Sequence, residues 1–111
     1  MKAILIDVKK EEVREVEHDD TLKNIYELVD CATFDVVRID NTNGIYVDDE
    51  GLFVEDQLFF TYHGDTYSQT LAGNGLILGV DSGGNSIAPT LTIEEVQEAI
   101  DFEPRGFDTW H

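Results

Sequence analysis

The sequence predicts an α+β fold, a mostly antiparallel sheet of five to six strands with two helices. Three observations predict it. Short apolar runs rich in Val, Ile, Leu and Phe recur between turn-forming Asn, Asp and Gly residues. Two other segments carry apolar residues at helical spacing behind capping residues. Neither of those segments falls regularly between strands, as the crossover helices of a parallel sheet would. The 111 residues suit one domain, read as residues 1–103, with residues 104–111 as a C-terminal tail that is either docked or disordered.

In chain order, Lys2 to Val8 alternates and is rich in Ile and Leu, the pattern of a first strand. Lys9 to Glu12 is a polar turn, and Val13 and Val16 mark a second strand pairing back onto the first. Asp20 is the expected N-cap of a helix over residues 21–31, with Asp19 favoured by the positive end of the helix dipole. Leu22, Ile25, Tyr26 and Val29 form its apolar stripe at i, i+3, i+4, i+7. Cys31 follows that stripe and reads as a buried thiol; as the one cysteine it excludes an internal disulfide.

A meander then runs from Phe34 to Phe60. Phe34 to Ile39 and Ile45 to Val47 read as strands across an Asn41–Gly44 turn, where Asn and Gly tolerate positive φ. Asp48 to Gly51 turns again, Leu52-Phe53-Val54 resumes as a strand, and Leu58 to Phe60 follows after Glu55-Asp56. Seven carboxylates lie in this stretch (Asp35, Asp40, Asp48, Asp49, Glu50, Glu55 and Asp56), and Arg38 alone opposes them.

Residues 61–66 read as a loop or ragged edge, and residues 67–72 fit either a strand or a short helix. Gly73 to Gly75 is a turn. Leu76 to Val80 is a continuous apolar run, the pattern of a buried strand, with Gly79 marking a close backbone approach. Residues 81–85 form a loop, and Ser86 to Pro89 extends. A second helix starts at Thr92, where Glu95 completes a capping box and Ile93, Val96 and Ile100 supply the apolar face. On its other side Glu94, Glu98 and Asp101 share a face at i, i+4, i+7, with no lysine interspersed. Pro104 ends regular structure, and the tail carries Phe107 and Trp110.

Composition bounds the function. The 41% hydrophobic content is enough for a core, and 24 acids against 7 bases give a net charge of −17. That charge argues against direct binding of nucleic acid or anionic lipid, both of which need Lys and Arg. A basic protein or a metal cation is the more natural partner. The apolar start MKAILIDV is too short for a signal peptide, and no run reaches the roughly 20 apolar residues of a membrane span, so a cytoplasmic location is expected.

Specific chemistry finds little support. Calcium loops fail at Asp40 and at Asp81, because the required acids at fixed positions are Thr42, Gly44 and Thr92. Asp48, Asp49 and Glu50 are at most a weak divalent-cation site. One cysteine with His18, His63 and His111 lacks zinc-ligand spacing. The glycines at 73, 75 and 79 lead into a strand, whereas the dinucleotide fingerprint opens a helix. A Cys31–His63–Asp nucleophile has no flanking signature. No cofactor, no metal and no enzymatic activity are expected.

The stretch LAGNGLILGVDSGGNSIAPTLTIEEVQEAI, with the opening MKAILIDV and the middle VVRIDNTNGIYVDDEGLF, resembles domain-of-unknown-function family 3846, a family of short phage and bacterial proteins. The resemblance covers about residues 1–100. It implies no activity or catalytic residues; it implies an accessory protein of a phage or mobile element, a setting in which small acidic proteins often inhibit host factors.

The leading expectation is therefore an acidic interaction protein that mimics DNA to block a basic, nucleic-acid-binding host protein. Duplex DNA carries one charge per ~1.7 Å, so 17 charges match ~29 Å of duplex. A compact chain of this length has a radius of gyration of ~13 Å and a diameter of ~34 Å. The two lengths agree provided the acids gather on one face. Asp48, Asp49, Glu50, Glu55 and Asp56 are the candidate partner-binding residues, followed by Glu94, Glu98 and Asp101. The alternatives are a structural module that self-associates as a homodimer through an apolar face or the Trp110 tail, and a small ligand-binding protein or hydrolase with a pocket beside Cys31 or His63.

Overall fold

A computed structural model describes residues 1–64 and 68–103. The tail from Pro104 onward, with Phe107 and Trp110, lies outside the described residues, as do positions 65–67.

Alternation in the opening residues decides the architecture. Strands β1 (Lys2–Asp7) and β2 (Glu12–Glu17) form an antiparallel hairpin with Lys2 opposite Glu17 and Asp7 opposite Glu12. Ala3 and Leu5 point to one face of the sheet, Ile4 and Ile6 to the other, and all four are buried. A strand buried on both faces must lie inside a sheet that is covered twice. Strand β7 (Gly75–Val80), the continuous apolar run, pairs with β1 and is likewise buried on both faces. The hairpin of β3 (Phe34–Arg38) and β4 (Asn43–Asp48) completes the order β2-β1-β7-β4-β3, and the short β8 (Ser86–Ile87) pairs with β7. This is the expected six-stranded antiparallel sheet.

Helix α1 (Leu22–Val29) covers one face. Ile25 and Val29 pack on Ala3, Leu5, Leu76 and Leu78, beside a tilted aromatic row of Tyr26, Phe34 and Tyr46 with centroids 5.4 and 5.2 Å apart. The N-cap is Thr21, not the expected Asp20. Thr21 is extended and its hydroxyl accepts the Asn24 N–H at 3.2 Å, whereas Asp20 adopts φ 65°. Asp19 supports that cap by accepting the Thr21 N–H. Leu22, expected in the stripe, is exposed, and the helix stops at Val29 because Asp30 turns left-handed.

A second sheet covers the opposite face. It contains β5 (Phe59–His63), β6 (Ser68–Ala72) and β9 (Ile100–Phe102) in the order β6-β5-β9, joined by helix α2 (Ile93–Ala99). Phe60, Val96 and Ile100 seal it onto Ile4, Ile6, Ile45 and Ile77. All pairings are antiparallel, and among the described residues there are nine strands and two helices, an α+β fold.

Three expectations change here. Residues 61–63 belong to β5 and not to a loop, because Thr61 and Tyr62 are held by β6 on one side and β9 on the other. Leu52-Phe53-Val54 is not a strand: Gly51–Phe53 forms one 3₁₀ turn. Ile100 leaves the second helix and goes extended to pair with Tyr62, so Asp101 stands on a strand. The capping box at Thr92 and Glu95 forms as read. Gly79 is indeed a point of close approach: a Cβ there would lie 2.7 Å from the Ala88 carbonyl oxygen. The radius of gyration is 13.2 Å.

Candidate functional site

The five loop carboxylates sit beyond the Asp48 end of β4. Asp48 closes the β3–β4 ladder opposite Phe34. The chain then makes a short, well-bonded excursion. The Asp49 N–H donates to the Thr33 carbonyl at 3.2 Å, and the Glu50 N–H donates to the Asp48 carboxylate at 2.9 Å. The 3₁₀ turn follows, closed by the Phe53 N–H on the Glu50 carbonyl. The Gln57 amide donates to the Gly51 carbonyl at 2.6 Å. Gly51 itself is buried against Ala72, where a Cβ would come within 3.1 Å of the alanine methyl. Asp49, Glu50, Glu55 and Asp56 are exposed and Asp48 is half-buried. These bonds hold the turn from Asp48 to Val54, and the five carboxylates stand on it and on the two residues that follow.

No base neutralises them: among the described residues, ion pairs join Arg14 to Asp7 and Glu12 and the Met1 amine to Glu17, and His63 hydrogen-bonds Asp101. Arg38, the one base expected to oppose this stretch, donates to the Asn41 carbonyl at the other end of the hairpin. No group of acidic, histidine or cysteine side chains among the described residues is arranged to hold a metal ion.

The second acidic group does not form the helix face read from its spacing. Glu94 lines a hollow with Lys2 and Glu15. Glu98 lines a different one, a cleft of about 420 Å³ that also holds Asp40, His63 and Glu95. Asp101, on β9, accepts from His63 Nε2 at 2.7 Å. Helical spacing holds for Glu94 and Glu98 and fails for Asp101, because the helix ends at Ala99. The two groups also lie apart. The loop acids hang from the Asp48 end of β4, whereas the cleft is anchored at its Asn43 end, five residue steps or ~17 Å away.

Asn43 builds the cleft end. Only 2% exposed, it donates through Nδ2 to Asp40 and to Thr90 Oγ1, and its Oδ1 accepts the Thr90 N–H at 3.0 Å. This ties the β3–β4 turn to the approach of α2. Burial alone would raise the Asp40 pKa, but bonds from the Asn43 side chain and from the Thr42 and Asn43 N–H groups together hold it below the usual carboxylate range. A carboxyl depressed in the folded state stabilises the fold above its unfolded pKa and loses that contribution as pH falls through the folded value. Asn43→Ala is expected to cost about 2 kcal/mol or more at neutral pH, since it strands the Thr90 N–H and removes a donor from Asp40. In urea titrations the gap to the wild type should narrow below about pH 4. A gap below about half a kcal/mol at neutral pH would remove Asn43 as the tie.

Sequence reasoning allowed for a pocket beside His63 but missed the acidic lining of this cleft, because Asp40, His63, Glu95 and Glu98 come from three separate segments. It also missed the partners of His63, whose Nδ1 lies 2.7 Å from Ser68 Oγ while Nε2 meets Asp101. The side chains of His63 and Asp101 are 45% and 73% exposed. The chain of bonds clamps β6, β5 and β9 together at the His63 end of β5. Cys31 is not near this group in the hydrogen-bond pattern. Burial, with Asp48 and Asp30 nearby, pushes its thiol up to about 11, which keeps it protonated and unreactive near neutrality.

Fold and surface together define an acidic α+β protein of two antiparallel sheets with one pinned, unpaired carboxylate turn. The chain belongs to the family described as Domain of unknown function (DUF3846), which matches residues 1–101. No match was found among curated proteins or solved structures. No helix among the described residues is long and apolar enough to cross a membrane.

Proposed function

We propose that this chain is a non-enzymatic acidic interaction protein of a phage or mobile element, acting in the host cytoplasm by occupying the basic surface of a nucleic-acid-binding protein in the manner of a DNA mimic. The observation that carries the reading is the turn at 48–56: five carboxylates close in sequence on a bonded turn, unpaired by any base among the described residues. Concentrated charge of one sign steers a cationic partner from a distance. The net charge of −17 adds to the same field.

Affinity for fluorescent oligolysine, measured against ionic strength, tests the role. Tight binding at low salt that weakens steeply as salt rises is the expected result. Binding that is absent at low salt, or indifferent to salt, would sink it. Competition then tests the mimicry: a basic DNA-binding protein held by this chain should release duplex DNA.

A further inference from the structure

We propose that Leu52, Phe53 and Val54 form an apolar anchor at the centre of the acidic turn, and that the partner is a basic protein presenting apolar surface fringed by Lys and Arg. The inference rests on the interaction role proposed above and specifies its partner. These three consecutive side chains are 65%, 85% and 49% exposed, while Gly51 takes the buried position against Ala72. A single exposed leucine needs no explanation. Three adjacent large apolar groups, one of them a phenylalanine almost wholly in water, mark an interaction surface. Hydrogen bonds to the Glu50 and Gly51 carbonyls hold the segment in its turn.

Charge selects the occupant. Asp48, Asp49 and Glu50 precede the triad and Glu55 and Asp56 follow it. Nucleic acid and anionic lipid are repelled by such a fringe. A second copy would set one acidic ring against another, between two chains of charge −17. A basic surface with an apolar centre satisfies both parts, burying the aromatic ring while its rim pairs with the carboxylates and excludes water. The duplex backbone carries no equivalent of the exposed ring, so the anchor would let this chain hold a surface that DNA meets mainly through its phosphates.

The test uses the full chain and two synthetic probes, a short amphipathic Lys–Leu peptide and an oligolysine of equal charge, titrated at low salt. The wild type should bind the Lys–Leu peptide more tightly. Phe53→Ala should weaken that binding about thirtyfold and leave oligolysine binding unchanged. Its thermal melt should not move, and Leu52→Ser is the second variant should it do so. Equal affinity for the two probes, or no response to Phe53→Ala while oligolysine still binds, overturns the anchor and leaves the acidic role standing. Failure of both probes to bind overturns the role and the anchor with it. A dimer that persists in high salt and is lost in Phe53→Ala would assign the patch to a second copy. Binding to zwitterionic phosphatidylcholine vesicles that is lost in that variant would assign it to lipid. Either result overturns the proposal.

Discussion

Phe60→Ala is expected to lower the unfolding free energy by about 3–5 kcal/mol, the range for emptying a fully buried aromatic site. Phe60 has no solvent exposure and is among the largest wholly buried side chains. It lies on β5, the central strand of the three-stranded sheet, and joins that sheet to the six-stranded one. A Cβ added at Gly75 would lie 2.9 Å from Phe60 Cζ and 2.9 Å from Ile45 Cγ2, so the ring is seated directly over the Gly75 backbone. The cavity cannot close easily, because Phe60 is bonded into a strand flanked on both sides. A domain of ordinary stability has about 5–15 kcal/mol to lose, so the variant should melt roughly 12 °C lower or more. Urea unfolding checks the figure, and Phe60→Leu should lose markedly less. A loss below about 1 kcal/mol would show that the two sheets do not depend on this ring.

The largest functional effect is expected from neutralising the turn. Asp48→Asn, Asp49→Asn, Glu50→Gln, Glu55→Gln and Asp56→Asn together should weaken oligolysine binding about tenfold or more at low salt and flatten its salt dependence. The amides keep the fold. A side-chain amide oxygen at position 48 would still accept the Glu50 N–H, and asparagine tolerates the φ of 55° that Asp56 adopts. Removing five like charges from a chain of −17 should also raise stability, so weaker binding would not come from unfolding. Neutralising Glu94, Glu98 and Asp101 should have a smaller effect, since these three line separate hollows or pair with His63. An equal effect from both sets would mean that net charge alone governs binding.

What could be read from the chain was what repeats locally. Leu76 to Val80 announced a strand buried on both faces because every position is apolar or glycine, and Thr92 with Glu95 announced the start of α2 because a capping box is complete within four residues. The second sheet was hidden. Its β9 is three residues long, follows a helix without a break, and is defined only by Phe60, Thr61 and Tyr62, far back in the sequence. Asp101 therefore read as helical. Leu52-Phe53-Val54 looked like a strand because its residues favour one, but strand pairing needs a free edge, and here a 3₁₀ turn satisfies the backbone instead. The turn acids were visible as composition; that they lie at the opposite end of β4 from the cleft was not, since register is a property of partners far apart in sequence.

The central claim is that a basic partner meets this molecule at the 48–56 turn and not over its whole acidic surface. Backbone amide shifts followed by NMR during an oligolysine titration at low salt locate the contact. The account predicts shifts concentrated between Asp48 and Asp56, with the α2 and β9 acids moving little. Shifts of similar size at acids all around the molecule would contradict it.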